Sequence, residues 1–436
     1  MLLPANNKVL VLGAYGFIGA SVMLSLREAG CKVTGLVRNA STARKVLPGF
    51  DLVLGDLRHF TRKDNWQGLI DGYDFVVNCA GALQDGGEDD LNLVHHRAIA
   101  ALGQACADQG IGIVQISATG AEPDANTAFM QTKAAGDAAL AKSGAALWIL
   151  KPGLVIGQTD YGGTALLRML AAVPMFQPLA YPNAPVQCVG MNDLCKAVGS
   201  AIRGALPQGT YDLVEDRPHK LSDIIALTRE WLGFRPARFR ISLPNWIARL
   251  VAKGADSLSL LGWRSPLRST AMKIMAEGVQ GDPEPYRLAM GKGVKPVAQT
   301  YFLLPCAREH RLAARMALLM PLAVATLSVF WVFSGVFGLA GLSQASAVLT
   351  DVGWPTIMAM TSVVIWSLAD IALGLAVLWR PWAKRACQAQ IAVSLFYLVL
   401  ATMFVPALWL DPMGPLVKIL PAMFLSLVVH QLLESR

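Results

Sequence analysis

The sequence predicts an α/β fold for its first part, a doubly wound parallel sheet, followed by an all-α membrane domain of four transmembrane helices. Three observations carry this. From Lys8 to about residue 240, short apolar runs alternate with helix-length segments, the order that needs crossover helices and therefore parallel strands. A glycine-spaced turn joins the first run to the first helix. From residue 312 to 433 the chain carries few acids or bases and divides into four apolar stretches. Composition agrees, with 54% hydrophobic and 16% charged residues and a mean hydropathy of +0.44, more apolar than an ordinary soluble domain. The expected division is 1–240 for the sheet domain, 241–307 for a helical cap and linker, and 308–436 for the membrane domain.

The first strand, Lys8 to Leu12, runs into Gly13-Ala14-Tyr15-Gly16-Phe17-Ile18-Gly19 and then into a helix from Ala20 to Arg27. Strand, glycine turn and helix in this order build a dinucleotide site. Gly13 permits the sharp turn, Gly16 lets the backbone approach a pyrophosphate, and Gly19 lets the helix pack closely with its N-terminus toward the phosphates. Tyr15, Phe17 and Ile18 complete the loop. The spacing G-x-x-G-x-x-G is less specific than G-x-G-x-x-G, and a purely structural turn is the alternative.

The second strand, Cys31 to Val37, ends in Arg38-Asn39. A site for NAD places an acid here to receive the ribose hydroxyls; this chain places a base, suited to a 2′-phosphate. NADP(H) is therefore favoured over NAD(H), the alternative being an arginine that is simply solvated. The third strand, Phe50 to Gly55, leads to Asp56-Leu57-Arg58, and the fourth, Tyr73 to Val77, to Asn78-Cys79-Ala80-Gly81. A helix from Leu91 to Asp108 and a strand Gly112 to Ile116 follow, ending at Ser117-Ala118-Thr119.

These motifs, with Lys133 behind the fifth strand, Lys151-Pro152-Gly153 after Leu147 to Leu150, the passage Val189 to Ala197, and Gly209 to Leu213, resemble the short-chain dehydrogenase/reductase superfamily. The likeness is to its extended and atypical branches, which include the complex I accessory subunit and isoflavone-reductase-like proteins. It covers roughly Lys8 to Gly233. The resemblance implies that Asp56, with Leu57, lies at the adenine edge. It implies that Ala80 and Gly81 line the riboses and that Pro152 and Gly153 abut the nicotinamide. Ser117 or Thr119 would hold the substrate oxygen, and Lys133 would bond the nicotinamide ribose. No metal is implied.

The superfamily's general acid is a tyrosine four residues before the lysine, on the same helix face, its phenol pKa lowered by the ammonium. Here that segment reads Phe129-Met-Gln-Thr-Lys133, and phenylalanine has no proton to give. A surrogate from Tyr161, Thr119 or Tyr15, hydride transfer that needs no phenol, and nucleotide binding without turnover all remain open.

Four spans are expected at about 312–339, 355–379, 386–409 and 413–433, each long enough for a hydrocarbon core of roughly 30 Å. Arg308, Arg311 and Arg315 precede the first, and Arg380, Lys384 and Arg385 lie between the second and third, whereas the loop from Ser343 to Trp354 has Asp351 and no base. The positive-inside rule then puts both ends and the sheet domain in the cytoplasm, at an inner membrane. Pro321, Pro406 and Pro421 imply kinks. Asp370, inside the second span, suits a helix–helix hydrogen bond or a redox or proton role; for His430 the bland reading is stronger. The module resembles the DoxX-like membrane family in length and pattern.

The net charge of +8 lacks the basic face or aromatic-interleaved lysines of a nucleic-acid binder; anionic lipid is its counterpart. Seven scattered cysteines support neither a disulfide framework nor a zinc site, and no cleavable signal peptide is evident. The segment from Leu243 to Gly254, with apolar residues at helical spacing, reads as a cap helix or as a helix on the membrane face, and Lys292 to Pro305 as a linker. The sequence thus points to a membrane-anchored oxidoreductase whose partners are a nicotinamide dinucleotide, the lipid bilayer and a quinone or lipid-like substrate. Its alternative is a silent accessory subunit of a membrane redox assembly.

Overall fold

The computed structural model describes residues 7–81, 90–263, 267–412 and 414–433. Its first half alternates β1 (Lys8–Leu12), α1 (Phe17–Glu28), β2 (Lys32–Val37), α2 (Ala40–Val46), β3 (Asp51–Leu54), α3 (Lys63–Ile70), β4 (Phe75–Asn78), α4 (Ala98–Gln109), β5 (Gly112–Ile116), α5 (Ala128–Ala141) and β6 (Leu147–Pro152). A further strand, Gly209–Leu213, pairs with β6. The sheet runs Gly209–Leu213, β6, β5, β4, β1, β2, β3, with every pairing parallel. Strand order therefore reverses between β1 and β4, the crevice where open α/β sheets take ligands.

Strand β1 shows why both faces are covered. Val9 and Val11 pack with Val22, Met23 and Leu26 of α1, while Leu10 and Leu12 pack with Ile99 and Leu102 of α4. All four strand residues are buried, so the run is continuously apolar as a central parallel strand requires. The helix before β5 starts near Leu91 as expected, but its turn over Leu93–Arg97 is π-helical, a widening that in other proteins often accompanies functional sites.

Contacts divide the chain into two compact parts, Met1–Asp256 with Pro266–Ala314, and Ser257–Ser265 with Arg315–Arg436. The stretch expected to be a linker, Lys292 to Pro305, contains the helix Val297–Leu303. Val297 and Tyr301 are buried there, and Tyr301 shares a 2.7 Å hydrogen bond with Thr228. Its apolar residues have a core to join, which local sequence does not reveal.

Among the described residues the chain then has four long apolar helices, Arg308–Ala340, Thr356–Ala376, Arg380–Phe404 and Pro415–Leu432. The shortest has 18 residues, about 27 Å at 1.5 Å per residue. Three local differences from expectation appear. The third helix already begins at Arg380, so its three bases form helical turns rather than a loop, as good helix formers can beyond the hydrocarbon. The loop after the first span contains the helix Leu342–Thr350. Pro406 opens a short 3-10 turn after the third helix instead of kinking it, because it has no N–H to continue the ladder.

Small residues bring the first two spans together: a Cβ on Gly335 would lie 2.2 Å from the Ser367 carbonyl oxygen. Asp370 is buried and accepts hydrogen bonds from Ser334 Oγ at 2.9 Å and Tyr397 Oη at 3.1 Å, joining three helices. Gln390 donates to the Leu373 carbonyl and accepts from Ser426 Oγ, and His430 meets Gln388 at 3.1 Å. Asp370, Gln390 and Ser426 thus find partners on other helices, whereas the buried Trp331 indole N–H has no hydrogen-bond partner among the described residues.

Candidate functional site

Gly13 leaves β1 with φ +68°, a conformation that side chains disfavour, and a Cβ there would stand 2.7 Å from Ala80 Cα. The glycine turn is thus pressed against the chain leaving β4, at the reversal of strand order. Gly16 donates to the Gly13 carbonyl at 3.0 Å and opens α1 with no side-chain cap. That helix start offers backbone amides and the positive end of its dipole to an anion. Gly19 completes the cradle, since a Cβ on it would lie 2.2 Å from the Gly13 oxygen. Tyr15, Phe17 and Ile18 are half-buried against the core. The three glycines thus stand where a Cβ would press on the chain's own backbone, and their lack of side chains lets β1, the turn and α1 pack closely.

Arg38 is exposed at the end of β2. Asp56, after β3, accepts from the Arg58 backbone at 3.0 Å and from its guanidinium at 3.0 and 2.6 Å. Burial opposes ionisation of Asp56, but the bonds from Arg58 and the charges of Arg58 and Arg38 hold it below the usual carboxylate range. Two guanidinium groups thus flank this edge of the site. Leu57 points into the core.

Beneath the crevice lies a buried polar chain. Asn78 accepts from the Ala80 amide at 3.0 Å and donates to Gln115 at 2.8 Å; Gln115 donates to Asp137 at 3.2 Å, and Ser117 donates to the other Asp137 oxygen. Lys133, one helical turn before Asp137, donates to the Ile116 carbonyl at 2.9 Å and lies 3.5 Å from the Ala80 oxygen. Burial pushes the Asp137 carboxyl up and the Lys133 ammonium down, and their mutual attraction opposes both shifts. The chain holds the ends of β4 and β5 and fixes Lys133 beside Gly81, where a Cβ would be 3.5 Å from its Nζ.

The two hydroxyls proposed to hold a substrate oxygen have inward partners. Ser117 is tied to Asp137, and Thr119 donates to the Lys151 carbonyl at 3.0 Å. Pro152 ends β6, and a Cβ on Gly153 would meet the Gln187 oxygen at 2.5 Å, so this glycine serves close strand packing.

Phe129 is half-buried and meets His95 edge-on, ring centres 5.5 Å apart. His95 Nδ1 lies 3.0 Å from Thr132 Oγ1, and its Nε2 is 3.5 Å from the position of a Cβ on Gly81, as is Lys133 Nζ. Burial, reinforced by the Lys133 charge, lowers the imidazole from 6.5 to about 2. Between those values the unfolded chain binds a proton that the folded chain refuses, so stability present at neutral pH is lost as pH falls below 6.5. The unfolding free energy should fall by up to about 1.4 kcal/mol per pH unit below 6.5, seen as a lower thermal midpoint at pH 5 than at pH 7, and His95→Gln should flatten that slope. Parallel slopes for the two proteins would refute the assignment.

Asn78 stood in the motif after the fourth strand, with no role given to it, and His95, Gln115 and Asp137 had no sequence signal of their own. Only the spacing of Asp137 four residues beyond Lys133 hints that the two share a helix face.

A family model described as NAD(P)H-binding matches residues 13–168, and one described as the DoxX-like family matches residues 328–427. No curated protein matches the chain. Among solved structures, the Bordetella bronchiseptica enzyme WbmH in complex with NAD+ aligns with a TM-score of 0.52 and 20% identity, over 69% of this chain and 97% of that one. WbmG of the same bacterium, in complex with NAD, aligns at 0.52 and 15%, over 71% and 94%. The dTDP-glucose 4,6-dehydratase of Bacillus anthracis, also with NAD, aligns at 0.51 and 12%, over 71% and 96%. At such identities the likeness is one of fold. The chain carries an NAD(P)-binding Rossmann domain, its fold shared with enzymes solved in complex with NAD, joined to a C-terminal DoxX-like domain.

Proposed function

We propose that the protein is a membrane-anchored, atypical short-chain oxidoreductase that uses NADP(H) at the cytoplasmic face of an inner membrane, on an apolar substrate delivered from the bilayer. The observation that carries this reading is the glycine cradle of residues 13–19, with Arg38 at its edge, on one chain with four apolar helices. A quinone or lipid carbonyl is the matching substrate class, since a site fused to a bilayer module spares such a molecule an aqueous leg. The orientation rests on the bases at Arg308, Arg311, Arg315, Arg380, Lys384 and Arg385.

Bound nicotinamide supplies or accepts a hydride; everything else falls to this chain. Gly13, Gly16 and Gly19 admit the pyrophosphate to the start of α1, and Arg38 pairs with the 2′-phosphate. Asp56 and Leu57 border the adenine. Ala80, Gly81 and Lys133 border the nicotinamide ribose, the ammonium kept in place by the Ile116 carbonyl and Asp137. Pro152 and Gly153 shape the nicotinamide end. With Phe129 in place of a phenol, and with the Ser117 and Thr119 protons engaged inside the protein, the residues suit a hydride transfer whose product oxygen takes its proton from water and not from a tyrosine.

A second reading, a silent nucleotide-binding subunit of a membrane redox assembly, is favoured by Phe129 and by the Ser117–Asp137 bond. Purified protein in nanodiscs, given NADPH and a panel of quinones, sterols and lipid carbonyls, separates the two. Turnover with at least one acceptor supports the enzyme; binding of NADPH without oxidation across the panel sinks it. Phe129→Tyr is expected to raise carbonyl turnover toward the 10²-fold scale of general acid catalysis with little change in NADPH affinity. Unchanged turnover would show that the site no longer supports the superfamily's proton transfer.

A further inference from the structure

Between Trp231 and Ala255 the chain carries Arg235, Arg238, Arg240, Arg249 and Lys253 and no acidic residue. All five are exposed. Large apolar side chains stand among them and are exposed as well: Phe239 at 58%, Trp246 at 66% and Leu250 at 64%. The strand Phe239–Ser242 pairs with Phe176–Leu179, setting Phe239 beside the exposed Phe176, while Gln177 on the opposite face is buried. The helix Asn245–Leu260 buries Ala248, Ala252 and Ala255 on one face and turns Trp246 and Leu250 outward.

Small residues inside and large apolar ones outside is the reverse of a helix made for water. Aromatic and aliphatic side chains among bases match a phase that is apolar below and negatively charged at its surface.

We infer that the surface formed by Phe176, Phe239, Trp246 and Leu250 docks on the headgroup region of an anionic bilayer. Its apolar side chains enter the interface, and Arg235, Arg238, Arg240 and Arg249 neutralise lipid charge. This rests on the membrane reading and is independent of nucleotide binding.

The test uses the full chain with a Cys306→Ser change and an environment-sensitive fluorophore on Leu250→Cys, and with the fluorophore on Lys142→Cys as an aqueous reference. In nanodiscs containing phosphatidylglycerol, acrylamide quenching at position 250 is expected to fall about threefold or more below that in phosphatidylcholine alone. Position 142 should not change. Adding Arg238→Glu, Arg240→Glu and Arg249→Glu should remove the difference. Equal quenching at position 250 in both lipids overturns the inference. Shielding that is the same in detergent, as for a cap over a pocket, overturns it, as does shielding that grows with protein concentration, as for a second copy.

Discussion

Gly19→Ala is expected to weaken NADPH binding and to lower thermal stability in the same variant. The added Cβ would lie 2.2 Å from the Gly13 oxygen and 3.0 Å from Ala14 Cα. These are backbone atoms and cannot swing away as a flexible side chain would. Either α1 moves off the sheet or the glycine turn opens, and both displace the amides that face the phosphates. Overpacking of this kind costs about 1–3 kcal/mol of stability. An equal loss of binding free energy weakens affinity by about 5- to 150-fold. Gly68→Ala is the matched control, because a Cβ there meets nothing within 4 Å and sits within α3, where alanine is the better helix former. Fluorescence titration and thermal unfolding of both variants check the prediction. A Gly19→Ala protein that binds NADPH like the parent would remove the cradle from the account.

Arg38→Glu should separate the two nucleotides. A charge-assisted hydrogen bond is worth about 1.5–3 kcal/mol, so losing it should cost NADPH roughly ten- to a hundredfold in affinity. NADH has no 2′-phosphate to lose, and the new carboxylate suits its ribose hydroxyls; its affinity should hold or improve. Asp56 senses the Arg38 charge, so the two residues share one edge of the site and reversal at 38 also places two acids side by side. Equal affinities of the parent protein for NADPH and NADH would contradict the assigned role of Arg38.

Local chemistry made the cradle legible. Gly13 and Gly19 have no alternative residue at the distances found, and a turn of four residues between β1 and α1 keeps the cradle within one window of sequence. Runs such as Val9 to Leu12, apolar on both faces, likewise announce a central parallel strand. The polar chain beneath the crevice was not legible, because its bonds join Asn78 to Gln115, Gln115 to Asp137 and Ser117 to Asp137 across three separate elements. Asparagine, glutamine and aspartate there look like ordinary surface residues until the sheet brings them together. His95 was hidden for a similar reason: its partners, Phe129 and Thr132, come from α5. Among the apolar segments, length and hydropathy located the spans. The bases of the third helix and the helix Leu342–Thr350 escaped because charge and hydropathy report the hydrocarbon boundary, not the end of the helical backbone.

Hydrogen exchange of the full chain in nanodiscs, with and without NADPH, tests the central claim most directly. The account predicts that nucleotide slows exchange at the amides of residues 16–20, at the start of α1, and around Arg38 and Ala80, and that Arg38→Glu weakens the effect for NADPH alone. Saturable NADPH binding that leaves those amides unprotected would contradict it.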